Sequence, residues 1–300
     1  MGSEAHVVVH GGRATALELA ERRLRDLECR WSRFDPGSEL SRLNDRAGVP
    51  TAVTPETARL LALAVAGWSW TGGRFDPTTG VALASAGYDR TFDELVARGS
   101  TSAGGHVGAT PAPGLAGMSV VASLGVAMIP AGASIDPGGI GKGLAADLVA
   151  DELVADGAAG ALVSVGGDLC AAGRCPGGGW EVDVDLGDGP GRLRLVAGAV
   201  ATSSVLRRRW QTVAGSAHHV IDPRTGRPTR GRALACTVVA GAAWWAEVLA
   251  TALLVAWDEE HPGDVAAELL GDAAAVVLTA TGDRIRLGAH QVHLDGVVAA

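Results

Sequence analysis

The segment IDPGGIGKGLAAD, residues 135–147, constrains this chain more than any other stretch. Asp-Pro-Gly-Gly is turn chemistry: proline fixes φ, and glycine admits backbone conformations closed to other residues. The turn runs into the apolar run LAADLVADELVA, so the sequence predicts a helix over 143–156 that opens on glycine. At that opening stands Lys142, the single lysine among 25 basic residues, the other 24 being arginines. A compact ammonium meets phosphate as a point charge, which a planar guanidinium does not mimic. Unpaired N–H groups and the positive dipole end of a helix favour an anion there as well. Two readings fit the run: a phosphate-binding glycine turn, or a turn that opens a helix and happens to carry a lysine. Gly141, Gly143 and Ala146 also satisfy a G-x-G-x-x-A dinucleotide fingerprint. That fingerprint must follow directly on a buried strand, and Asp136-Pro137-Gly138-Gly139 is not one, so the Rossmann reading is set aside.

The remaining chain alternates strand and helix patterns with no repeat and no linker, which predicts one interleaved α+β unit over residues 1–300. Strands are expected at 5–10, 118–123, 126–131, 161–168, 180–186, 193–204, 234–241 and in a closing hairpin at 274–288. Helices are expected at 14–29, at 55–70 with Thr54 as N-cap and Pro55 in the first turn, and at 242–257. Residues 30–48 and 71–80 read as loops, 102–117 as a Gly/Ala/Pro-rich surface excursion, and 218–226 as a short strand entering a turn.

Several function classes drop out on composition. A net charge of −8 argues against a nucleic-acid binder, which needs a basic face. No run of about 20 apolar residues lacks a charge or a breaker, so no membrane span is expected. No charged start with an apolar run and cleavage site is visible, so the sequence as given reads as cytoplasmic, or as exported if its N-terminus has been trimmed. Of Cys29, Cys170, Cys175 and Cys236, only Cys170 and Cys175 are close. Cys-x4-Cys without a second pair is a poor zinc signature, and free buried thiols are expected. Trp244 and Trp245 read as packing.

Three constellations carry possible chemistry. Glu247 sits in the apolar run AAWWAEVLATALLVAW, where a carboxylate is costly unless paired, protonated or bound to a cation. Thr251 lies four residues on, on the same helical face, and the two present hard oxygens suited to Mg²⁺; the alternative is a glutamate on one exposed stripe. In HHVIDPRTG, a histidine near Asp222 and Arg224 can serve as a base near neutral pH, or can be a strand-end histidine bonded to backbone. The turns FDPGS, FDPTT and IDPGG are explained locally as Asx-turns, while Asp76 and Asp136 would also present carboxylates to a nucleoside or ribose.

Taken in order, these runs resemble the ApbE family of FAD:protein FMN transferases. The initial MGS is similar to the family's MGT. ERRLRDLECRWSRFDPGSELSRLN resembles its first helix and S-E-L-S-R-L-N loop, and TGGRFDPTTG its T-G-G-A-F-D-P-T segment, with GYDR following. IDPGGIGKGLAAD, ALVSVGGDL, VATSSVLRRRW, HHVIDPRTGRP and AEVLATALL then follow in family order. The resemblance implies an α+β fold, a T-fold-related layering of sheet and helix. It implies a Mg²⁺-dependent transferase that takes FAD as substrate and moves FMN to a threonine or serine hydroxyl of an acceptor protein, releasing AMP. Residue by residue it implies Phe34, Arg74, Phe75, Asp76, Asp136 and Lys142 at FAD, the Gly139 backbone, Glu247 and Thr251 at Mg²⁺, and His219 in acid–base or metal-linked work. The same scaffold would serve an FAD pyrophosphatase in which water replaces the hydroxyl, or a flavin-binding protein without catalysis. Glu247 stands where the family's usual acid is aspartate, IDP replaces IDL, and ATSS replaces ATSG.

Overall fold

Alternation and turn chemistry decide the larger sheet. The computed structural model describes residues 3–97, 109–186, 188–212 and 215–288. Its seven strands run, in spatial order, Ala5–His10, Gly160–Val165, Asp168–Gly173, Gly198–Ser204, Ala233–Ala240, Ala274–Thr279 and Arg284–Gly288, each antiparallel to its neighbours. Leu169, Val200 and Val239 fall in register across three adjacent strands. They pack with Trp180, Val182, Val184, Leu193 and Leu195 of a separate hairpin, Trp180–Asp185 with Pro190–Leu195. The alternate residues of the same strands meet two helices, Gly141–Ala155 and Ala243–Ala256, which pack on the sheet and on each other. This explains why both helices are apolar nearly all round: 10 residues of the first and 11 of the second are buried.

The helices and the sheet belong to one of two compact units. That unit takes Ser3–Leu27, Ile140–Ser204 and the chain from Arg232 onward. The other takes Glu28–Gly139 and Val205–Gly231. It holds the helices Glu39–Asp45, Pro55–Trp70, Gly80–Ser85 and Phe92–Ala97, a three-stranded sheet (Thr51–Ala52, Val126–Met128, Ser119–Val121) and two hairpins. Its core gathers Tyr88, Trp210, Ala217 and Ile221, with Phe34 and Phe92 against them. The Trp210 indole donates to the Ala86 carbonyl at 2.8 Å, so its polar edge is satisfied inside that core.

Most expected elements are present, and the differences have physical causes. The stretch 30–48 is not all loop: Ser38 caps a helix over Glu39–Asp45 by accepting from Ser41 N–H. Strand 161–168 ends earlier, at Val165, because Gly166 and Gly167, at φ 61° and 96°, form a two-residue turn into a second strand beginning at Asp168. The expected strand 193–204 is two strands, Pro190–Leu195 and Gly198–Ser204, in different sheets. A helix Pro262–Leu270 was not expected. Within 71–80, Pro77–Thr79 is a 3-10 turn, and Gly80 opens a helix. Of the expected excursion, residues up to 108 lie outside the described residues, and 109–117 are coil and turn. All four cysteines are free: Cys170 and Cys236 are buried, Cys175 half-buried and Cys29 exposed. Trp244 and Trp245 pack on each other with ring centroids 5.3 Å apart. No described helix is long and apolar enough to cross a membrane.

Candidate functional site

The residues expected to carry function fall in both units. Phe34, Arg74, Phe75, Asp76, Asp136, Gly139 and His219 belong to one, and Lys142, Glu247 and Thr251 to the other.

In the unit that holds the seven-stranded sheet, two helix starts are locked by each other's acids. Asp147, on the lysine helix, accepts from the backbone N–H groups of Ala243 at 2.8 Å and Trp244 at 2.9 Å. Glu247, on the other helix, accepts from Gly143 N–H at 2.9 Å through Oε2. Each acid thereby satisfies N–H groups that a helix start leaves without intrahelical partners. The approach is so close that a Cβ on Gly143 would sit 2.3 Å from the Ala243 carbonyl oxygen. Gly143→Ala is therefore expected to cost about 1–3 kcal/mol through overpacking, read as a lowered thermal unfolding midpoint.

Lys142 extends into a buried acid pair. Its ammonium makes a short ion pair with Glu247 Oε1 and a second with Asp168 Oδ2 at 2.7 Å. Glu247 is 1% exposed and Asp168 2%. Asp168 takes this position because the two-residue glycine turn places it at the head of its strand, on the face opposite Leu169. There its Oδ1 accepts from Thr202 N–H at 3.1 Å. Thr251, one turn beyond Glu247, shares a hydrogen bond with the Ser203 hydroxyl at 3.0 Å. Glu247 and Thr251 thus share a helix face, each with a partner of its own.

Charge is unbalanced in this group: two carboxylates face one ammonium. Burial works against the Lys142 charge, yet Asp168 and Glu247 outweigh it and raise the lysine pKa. Burial is also the largest influence on Glu247, opposed by Lys142 and reinforced by Asp168, and pushes it from 4.5 up to about 8. A proton or a cation therefore belongs with this pair at neutral pH. The Glu247 and Asp168 carboxylates are hard oxygen donors, of the kind that suits Mg²⁺ rather than a thiophilic metal. Among the described residues, no three His, Cys, Asp or Glu side chains converge as a metal site, so such an ion would also draw on hydroxyl, carbonyl, water or substrate oxygens.

Between the ordinary value of 4.5 and about 8, the folded metal-free protein binds more protons at Glu247 than the unfolded chain. Stability attributable to Glu247 is complete below 4.5 and falls as pH rises through that window. Urea midpoints of metal-free protein should accordingly decline from pH 5.5 to 8, and Glu247→Gln should flatten that decline.

The other unit uses its motif residues as a frame. Asn44 clamps Ile135 through both ends of its amide, donating to the carbonyl at 3.0 Å and accepting from the N–H at 2.8 Å. This fixes Asp136, whose Oδ1 accepts from Gly138 N–H at 2.7 Å and whose Oδ2 pairs with Arg33 at 2.7 Å. The same guanidinium lies over the Phe34 and Tyr88 rings, 4.1 and 4.7 Å from their centroids. Arg33 thus connects two expected residues, Phe34 and Asp136. Asp76 accepts from Thr78 N–H at 2.8 Å, the Thr78 hydroxyl at 2.6 Å and the Trp68 indole at 3.2 Å, and burial raises its pKa. Phe75 is 2% exposed, and Arg74 is half-buried, donating to the Thr71 carbonyl at 3.2 Å.

HHVIDPRTG places two histidines side by side with different surroundings. His218 is buried and donates from Nε2 to the Thr229 carbonyl at 3.1 Å, the behaviour of a strand-end histidine bonded to backbone. His219 is half-buried. Asp222 accepts from the Arg224 backbone and guanidinium at 3.0 Å.

Sequence reasoning passed over Asp168, Asp147, Asn44 and Arg33 as site-building residues. Val-Gly-Gly-Asp was the available signal for Asp168, since a glycine pair between alternating runs marks a two-residue turn and fixes which face the next residue takes.

A family model described as the ApbE family matches residues 1–277. The chain is 30% identical to an FAD:protein FMN transferase of Treponema pallidum, over 83% of this chain and 75% of that one. It is 27% identical to a protein of the same description from Vibrio cholerae, over 80% and 72% of the two chains. Among solved structures, the ApbE protein of Thermotoga maritima superposes with a TM-score of 0.77 at 26% identity, covering 95% of this chain and 94% of that one. The apo flavinyl transferase ApbE of Pseudomonas stutzeri gives 0.73 at 22% identity, covering 99% and 98%.

Proposed function

This chain belongs to the ApbE family, and from that premise we propose that it transfers FMN from FAD to a threonine or serine hydroxyl of an acceptor protein. The relatives' names support flavin transfer with FAD as substrate. The observation that carries the reading to this chain's own residues is the buried group of Lys142, Asp168 and Glu247, short of one positive charge at a glycine-built helix start.

In the proposed reaction, the acceptor hydroxyl oxygen attacks the FMN-side phosphorus of the FAD pyrophosphate. A phosphoester bond forms, the bridging P–O bond breaks, and AMP leaves with the electron pair. The acceptor's proton passes to His219. Such transfers depend mainly on positioning and on neutralising phosphate charge. Phe34, Arg74, Phe75, Asp76 and Asp136 bind or frame FAD, and Lys142 meets its phosphates as a point charge. Glu247 and Thr251, with the Gly139 backbone, would hold Mg²⁺. When bound, that ion withdraws charge from the phosphoryl oxygens and the leaving group. In this reading all 300 residues serve one activity.

Incubation with FAD, Mg²⁺ and a candidate acceptor, followed by intact mass, tests the reading. Addition of one FMN to the acceptor with equimolar AMP is the expected result. AMP and free FMN without acceptor modification would instead indicate hydrolysis, and intact FAD throughout would refute catalysis.

A further inference from the structure

We propose that Lys142 is a resident cation that competes with the divalent metal for Glu247, and that Asp168 is the positioning residue that draws the lysine away. This rests on the reading of Glu247 as a metal ligand.

Three features carry the inference. First, the oxygen of Glu247 that faces the ammonium is Oε1, while Oε2 is occupied by Gly143 N–H. A metal ion entering at Glu247 therefore meets a positive charge already seated there. Second, Asp168 is a second anchor held through both of its oxygens. Its Oδ1 is held by Thr202 N–H at 3.1 Å, it begins a strand fixed by a two-residue turn, and its Oδ2 lies 2.7 Å from the same ammonium. Third, the lysine stem is steered by the glycine turn that precedes Asp168, so its ammonium stays within reach of both acids. It passes close over the turn, where a Cβ on Gly166 would meet Lys142 Cδ at 3.2 Å. A flexible stem with three rotatable donors keeps one carboxylate while releasing the other. The arrangement explains why two acids are buried with one base: Asp168 keeps the lysine, and Glu247 is left for the incoming charge.

Calorimetric titration with Mn²⁺ alone, without FAD, tests this on four proteins: the parent, Asp168→Asn, Lys142→Met and the double variant. Asp168→Asn leaves the ammonium entirely to Glu247 and should weaken metal binding by roughly 10-fold or more, the scale seen on loss of outer-shell partners. Adding Lys142→Met to it removes the competitor and should restore affinity to the parent's level or better. A residue that merely supports the fold would give no such rescue. Lys142→Met alone should tighten the metal by several-fold while weakening FAD, and it decides the matter if Asp168→Asn fails to fold by circular dichroism. The proposal is overturned if Asp168→Asn binds metal like the parent, if the double variant is no tighter than Asp168→Asn, or if Lys142→Met binds no more tightly than the parent. A parent that binds no metal would overturn this proposal and the metal reading together. A parent that binds metal with no rescue overturns this proposal alone.

Discussion

Glu247→Gln is expected to fold normally and to lose FAD cleavage. The fold should survive because Asp168 and Lys142 remain as a balanced pair and the amide oxygen still accepts from Gly143 N–H, with the ammonium turning from the amide NH₂ toward Asp168. Breaking a buried pair is ordinarily costly because it strands a charge, and here none is stranded. Activity should not survive, because a neutral amide neither compensates nor orients a divalent ion as a carboxylate does. AMP release at limiting Mg²⁺ should fall by more than about 100-fold, beyond the loss typical of an outer-shell partner. FAD binding measured without metal should stay near the parent's. Unchanged turnover at limiting Mg²⁺ would remove Glu247 from the metal site and leave it as a cap on the lysine helix.

The parts of this molecule that were legible in the sequence are those set by local chemistry. Thr54-Pro55 announced a helix start, and the structure places that helix at Pro55–Trp70 with Thr54 accepting from Thr57 N–H. The alternation in WEVDVDL gave the strand Trp180–Asp185, and its inward residues Trp180, Val182 and Val184 pack against the sheet. Glu247 was visible as an acid in an apolar helix, in need of a partner unless it lay on an exposed stripe, but the identity of that partner was not visible. Lys142 lies 105 residues earlier, and nothing in local spacing joins them. Asp168 was hidden for another reason. Read as the end of one strand, it points nowhere in particular; once Gly166 and Gly167 make the turn, it heads the next strand and its face is fixed. Asn44 and Asp147 act through bonds to backbone 91 and 96 residues away, and short polar side chains of this kind carry no pattern that distinguishes a long-range clamp from a local turn.

His219→Ala is expected to bind FAD nearly as the parent does and to lose flavin transfer. His218 is buried and bonded to the Thr229 carbonyl; His219, half-buried beside it, is the one proposed for proton transfer on the family resemblance. A histidine takes a proton near neutral pH, and a positioned general base typically contributes about 10²–10⁴-fold in rate. The transfer rate of His219→Ala should therefore drop by at least about 100-fold, with kcat falling and the FAD dissociation constant within a few-fold of the parent's. Response to metal separates the two ways His219 could act. If it moves the proton, added Mg²⁺ leaves the defect unchanged, because no ligand of the ion has been lost. If it orders the metal site, raised Mg²⁺ recovers part of the rate by mass action. His218→Ala supplies the contrast: it should lower the unfolding midpoint by removing a buried hydrogen bond, worth about 0.5–1.5 kcal/mol, and leave the chemistry of the folded fraction intact. Parent-like transfer by His219→Ala would assign both histidines to architecture and require another base for the acceptor hydroxyl.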